Sequence, residues 1–177
     1  MKKFELTSES IVNICGKKLF RIKALVEFGN VKEGELGGFI EKEENLSHEG
    51  NAWVYGSAEV CGDAEVAGNA WVYGNAEVCG DAEVSGNARV CGNAWVSGDA
   101  RVYGDADYAT VKGFGTEYRT TTFFKCKDGI ARVRCGCFYG DLEEFRNQVK
   151  NTRKGKIAEE YLMIADLMEK HFKEERS

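Results

Sequence analysis

Three groups of residues in this chain have types and spacings suited to chemistry. Glu59, Glu65, Glu77 and Glu83, with Asp63, Asp81 and Asp99, recur at intervals of six or eighteen, and Trp53, Trp71 and Trp95 take equivalent places among them. Regularly spaced carboxylates invite a cationic partner, and tryptophans held at a surface are enriched where proteins meet. Arg119, Arg132 and Arg134 surround a hairpin signal and suit an anion site for a nucleotide or RNA. The histidines are His48 and His171 alone, and Cys135 and Cys137 lack the two-residue spacer of zinc or redox motifs. Neither a metal site nor a cofactor is expected. Cys61, Cys79 and Cys91 fill positions taken elsewhere by Tyr, Ser or Ala, which reads as reduced thiols and not as a disulfide framework.

The elements that must position these residues follow from a double period. Residues 50–67, GNAWVYGSAEVCGDAEVA, are followed by 68–85, GNAWVYGNAEVCGDAEVS, and by a looser copy, GNARVCGNAWVSGDARVY, at 86–103. Each hexad reads Gly, then Asn, Asp or Ser, then Ala, a variable residue, Val, and another variable residue. Ala and Val, two apart, share one side of a short strand, and the residue between them faces the other side. Gly followed by Asn or Asp is suited to the positive φ of a tight corner. Three corners close a triangle, so each coil of eighteen lies about 4.8 Å above the last in parallel pairing. The first two coils differ only at Ser57 versus Asn75 and Ala67 versus Ser85, so residues match best with their stacking partners. The expected fold is mainly β: a three-sided parallel β-helix with 18-residue coils and a small α+β C-terminal module. The outward columns are then Trp53, Trp71 and Arg89; Glu59, Glu77 and Trp95; and Glu65, Glu83 and Arg101.

The flanks read as covers for the open ends of that stack. Residues 1–49 form a β-rich cap, with a strand in KKLFRIKALVEF (17–28) and Leu36, Ile40 and Leu46 continuing the inward phase. The repeat spans 50–110. In 111–177, Lys127-Asp128-Gly129-Ile130 reads as a type I′ hairpin turn. Asp141 with Glu144 makes a capping box for a first helix, and Ile157, Tyr161, Ile164, Ala165, Met168 and Phe172 stripe a second.

The pattern of Val54, Val60 and Val66, each preceded two places earlier by Ala52, Ala58 or Ala64, resembles the hexapeptide-repeat, left-handed β-helix superfamily. Left-handed winding is implied by that resemblance alone, since the general crossover rule is right-handed. The Gly departs from the family pattern, standing two residues after the aliphatic position and not one. Over nearly the full chain, ALVEFGNVKEGELGGFIEKEENLSHEGNAWVYG and FKCKDGIARVRCGCFYGDLEEF resemble uncharacterised proteins encoded by bacteriophages and prophages, some labelled polymer-forming cytoskeletal. This implies a phage or prophage accessory protein without implying an activity.

Charge and composition narrow the function classes. Residues 50–109 hold nine acids against Arg89 and Arg101, a net −7 in a chain whose total is −5, so the coil stack repels phosphates and direct nucleic-acid binding through it is not expected. No apolar run follows the MKKFELTSES start or approaches the roughly 18 residues of a membrane span, so a cytoplasmic protein without a leader is expected. An acyltransferase reading, implied by the superfamily, needs a histidine base beside an insertion loop, and neither histidine lies within the repeats. Catalysis is therefore not expected. The expected role is binding: inhibition of a host nuclease, topoisomerase or defence complex by an acidic β-helix that imitates nucleic acid. The alternatives are a self-assembling scaffold, with side-to-side homo-oligomers through Trp53 and Trp71, and a nucleotide-binding module or acyltransferase.

Overall fold

A computed structural model describes residues 1–173. At the N-terminus, strands β1 (Phe4–Val12) and β2 (Lys18–Ala24) pair as an antiparallel hairpin, and β2 pairs in turn with β3 (Leu36–Ile40). The repeat supplies nine two-residue strands: β4 Trp53–Val54, β5 Glu59–Val60, β6 Glu65–Val66, β7 Trp71–Val72, β8 Glu77–Val78, β9 Glu83–Val84, β10 Arg89–Val90, β11 Trp95–Val96 and β12 Arg101–Val102. They stack in parallel as three sheets, β4-β7-β10, β6-β9-β12, and β5-β8-β11, the last extended through β3 and β2 to β1. Residues eighteen apart are in register, as Trp53 with Trp71 and Glu59 with Glu77. The protein is thus a β-solenoid of three full coils on a partial one, in which Ile40 and Leu46 stack below Val60 and Val66.

The inward Ala and Val of every hexad, from Ala52 and Val54 to Ala100 and Val102, face the core, none more than 1% exposed. Each buried valine contributes about 1.5–3 kcal/mol relative to exposure, which is how strands of two residues hold. The corners refine the sequence reading. Glycine takes positive φ at each of them, whereas the following Asn, Asp or Ser does not. Where the corner bond is made, as from Ala58 N–H to the Tyr55 carbonyl at 3.1 Å, this is the pattern of a type II′ turn. At Gly80, φ is +73° and an added Cβ would lie 2.8 Å from the Gly98 nitrogen, so stacked corners exclude any side chain there.

The cap satisfies the open edge of the first coil with buried polar side chains. Asn45, fully buried, donates through Nδ2 to the carbonyls of Gly62 (3.0 Å) and Ala64 (2.8 Å), and its Oδ1 accepts from Lys42 N–H (2.9 Å). Lys3, only 3% exposed, donates through Nζ to the carbonyl of Ala52 at 2.9 Å and lies 4.7 Å from the centroid of the Phe28 ring. His48 Nδ1 accepts from Lys3 N–H (3.1 Å), so the proton sits on Nε2, facing Glu43 at 2.8 Å; the ring stacks on Phe4 at 4.3 Å. Leu36 departs from expectation. It is 50% exposed, because the inward places at this level belong to Gly37 and Gly38, each within 2.7 Å of core atoms if given a Cβ.

Burial lowers the Lys3 pKa to about 8 from 10.5. Between those values the unfolded chain holds a proton that the folded chain has lost, so stability rises with pH across that window and the burial penalty is complete below it. Relative to Lys3→Met, the native chain is expected to gain stability between pH 7.5 and 10 in urea unfolding under reducing conditions. A difference that stays flat with pH would show that Lys3 titrates normally.

The far end of the stack is covered by β13 (Tyr108–Val111), β14 (Thr121–Lys125), β15 (Ala131–Cys135) and β16 (Phe138–Asp141), an antiparallel sheet in that order, followed by α1 (Leu142–Thr152) and α2 (Gly155–Phe172). The expected hairpin is the centre of this sheet. Its turn is not type I′. Only Gly129 has positive φ, and Gly129 N–H donates to the Cys126 carbonyl (2.9 Å), the pattern of a type I turn closed by a glycine bulge. Top-coil backbone groups find partners here: Arg89 N–H meets Asp105 Oδ1 (2.8 Å), Trp95 N–H meets Thr122 Oγ1 (2.9 Å), and the Tyr108 hydroxyl donates to the Arg89 carbonyl (2.6 Å). Asp141 caps α1 through Glu144 N–H (2.8 Å) with the reciprocal bond present, as the capping box predicts. The stripe of α2 packs on Phe123, Val133, Phe145 and Val149. His171 Nε2 donates to the Ala106 carbonyl (3.0 Å), tying α2 to the top of the stack.

Candidate functional site

The sheet β4-β7-β10 carries the most distinctive surface. Tyr55, Trp71, Tyr73 and Arg89, with Asn30 from the cap, line a groove of about 540 Å3. Trp71 projects outward because its neighbours Ala70 and Val72 take the two inward places of the strand. The Tyr55 ring meets it edge-on at 5.6 Å, and the Arg89 guanidinium stands 5.1 Å from the ring centroid, one coil above. Burial and the nearby Glu35 charge raise the Tyr55 pKa, so its hydroxyl stays protonated. Along the adjoining corner, Asn51 Nδ2 donates to Asn69 Oδ1 and Asn69 Nδ2 to Asn87 Oδ1, both at 3.2 Å. The groove is therefore an aromatic wall with one cation at its upper end and a ladder of amides beside it.

The expected column of Trp53, Trp71 and Arg89 exists, but Trp53 is not displayed. It is 0% exposed, with Phe28 at 5.3 Å and Phe4 at 6.3 Å lying over it from the cap. The cap joins the coil stack by closing over this first outward aromatic. Trp53 is therefore structural, and only Trp71 and Trp95 of the three are partly accessible.

The acidic columns are in register, yet several of their charges are met within the chain. Lys42 pairs with Asp63 at 2.5 Å and holds its carboxyl below the usual range. Arg101 pairs with Glu83 at 3.2 Å. Glu59 and Glu77 are half-buried; burial raises both, the Glu77 charge raising Glu59 further while Arg134 draws Glu77 back. Of the carboxylates in these columns, Glu65, Asp81 and Asp99 are exposed and form no ion pair among the described residues. The continuous ladder of charge expected from the sequence is thus thinned to these three.

The three arginines read as one anion site do not converge. Arg132 binds Asp128 at 2.6 Å, and the Arg134 guanidinium lies 3.9 Å from the centroid of the Trp95 ring, so both are engaged. Arg119 lines a different cleft, with Arg153. Trp95 Nε1 donates to Cys79 Sγ at 3.2 Å; the neighbouring Cys79 thiol and burial raise the Cys61 pKa, while Cys61 lowers that of Cys79. All seven cysteines are free. Among the described residues no three His, Cys, Asp or Glu side chains converge as a metal would require, and no helix is long and apolar enough to cross a membrane.

Sequence reasoning missed Tyr55, Tyr73 and Asn30. The tyrosines follow the inward Val and stack eighteen apart, so their column was present in the same register as the tryptophans. Asn30 had no signal, since it reaches the groove only through the fold of the cap.

The family model described as YdcK Beta solenoid repeat matches residues 82–98, within the coil stack. That match agrees with the stacked coils and concerns the repeat unit alone. No curated protein matches the chain.

Proposed function

We propose that this protein acts by binding another protein, anchored in the groove of Tyr55, Trp71, Tyr73 and Arg89. The observation that supports this is the composition of the groove: a tryptophan, two tyrosines and an arginine around about 540 Å3, the residue types in which interface energy concentrates. Glu65, Asp81 and Asp99 keep the stack negative and steer a basic partner toward it, affecting the rate of encounter more than the affinity. The partner class is a basic nucleic-acid-handling protein of a host cell, a nuclease, topoisomerase or defence complex. The resemblance to phage and prophage proteins supplies the setting, inhibition of such a protein in the host cytoplasm. End-to-end polymerisation is not part of this reading, because cap residues and the C-terminal sheet occupy both ends of the stack.

The test is capture from host lysate at low salt, followed by binding kinetics on the purified captured protein. Three chains are compared: the native one, Trp71→Ala with Arg89→Ala, and Glu65→Lys with Asp81→Lys and Glu83→Lys. A basic nucleic-acid-handling protein is expected, bound at least about 30-fold more weakly by the groove variant, as loss of a hot spot of about 2 kcal/mol requires. For the charge variant a lower association rate and a flatter salt dependence are expected. Affinity indifferent to the groove variant, or sedimentation showing the chain paired with itself through this groove, overturns the proposal.

A further inference from the structure

We infer that the cleft between the β15–β16 turn and the helix pair is a binding site for a small organic anion, an apolar or aromatic body carrying one phosphate or carboxylate group. Arg119 and Arg153 line the same cleft of about 220 Å3, whose lining among the described residues contains no carboxylate. Two like charges facing one cavity without a counterion form a site for one, and two guanidinium forks match the geometry of an oxyanion head.

The backbone places both arginines at this cleft. The Arg119 guanidinium lies against Gly136 at the turn between Cys135 and Cys137, where an added Cβ would be 2.7 Å from Nη1. Arg153 is the C-cap of α1, its N–H donating to the Val149 carbonyl at 2.8 Å. α2 starts two residues later with no side-chain cap and no acid in its first turn, so the positive end of its dipole adds to the potential there. The inner wall is made by Phe138, Phe145 and Tyr161, the last two buried, with Gln148 as a polar contact. An anionic head thus sits at the mouth between the guanidiniums, and an apolar body covers the aromatic floor. The site shares no residue with the aromatic groove.

Phenyl phosphate is the probe, titrated into the full chain by calorimetry and by NMR, with inorganic phosphate and phenol as separate arms. Phenyl phosphate is expected to bind and to shift the resonances of Phe138 and Tyr161, with each half-probe weaker by on the order of tenfold or more. Arg119→Ala with Arg153→Ala is expected to lose at least about tenfold in affinity, the scale of a charge-assisted hydrogen bond, while melting unchanged because both side chains are exposed. Absence of binding at millimolar phenyl phosphate, or equal affinity in the double variant, overturns the site. Inorganic phosphate binding as tightly as phenyl phosphate overturns the organic body.

Discussion

Replacing Trp53 by alanine is expected to destabilise the protein by about 3–5 kcal/mol, the range for deleting a fully buried tryptophan. The indole fills the joint between cap and first coil, against Phe4 and Phe28, and no solvent reaches it. The two rings from the cap would be left facing a void that one strand of two residues cannot collapse to fill. At roughly 2–4 °C per kcal/mol for a chain of this size, the melting temperature should fall by about 10 °C. Trp53→Phe is the informative companion. The indole Nε1–H is buried without a hydrogen-bond partner among the described residues, so phenylalanine keeps the ring contacts while removing an unsatisfied donor, and less than half the loss is expected. Urea unfolding of both variants decides it. If Trp53→Ala were neutral, the cap would not seat on this residue and Trp53 would return to the exposed column.

Asn45→Leu should cost about 2–5 kcal/mol despite adding apolar volume to a buried position. Leucine supplies no donor, so the carbonyls of Gly62 and Ala64 lose their partner at an edge from which water is largely excluded, at about 1–3 kcal/mol for each buried unsatisfied group. The Lys42 N–H also loses its acceptor. Asn45→Asp separates the two ideas, because it keeps the acceptor and replaces the donor by charge. It should be at least as damaging as leucine above the carboxylate titration range. Thermal unfolding of the three chains is the measurement, and a leucine variant as stable as the native chain would show that water satisfies this edge unaided.

The coil stack was legible because its rules are local. An Ala and a Val two apart, with Gly every sixth residue, fix which side chain points inward at each strand, and the eighteen-residue match fixes what stacks on what. Hence the columns through Trp71, Glu77 and Glu83 were read correctly from spacing alone. The capping box at Asp141 and the stripe of α2 were legible for the same reason, being set within one or two helical turns. The hairpin was placed correctly and its turn was not, since Asp-Gly serves both turn types and the extra residue of a bulge leaves no mark in the sequence.

Whether an outward residue is also exposed depends on what lies over it, and that is not a local property. Trp53 and Trp71 have identical neighbours from Gly50 to Tyr55 and Gly68 to Tyr73, yet one is buried and the other lines a groove. The difference is a cap that folds back from residues before the repeat and lays Phe4 and Phe28 over the first coil's tryptophan alone. The arginines follow the same logic. Spacing put Arg132 and Arg134 on one strand, but Asp128 takes the first and the Trp95 ring the second, while Arg119 lines a separate cleft with Arg153, remote in the chain. The sequence by itself determined the solenoid, its register and its outward columns, because periodicity repeats one local geometry. Only the tertiary structure decided which members of those columns are free to bind, because burial and charge pairing are set by segments remote in the chain.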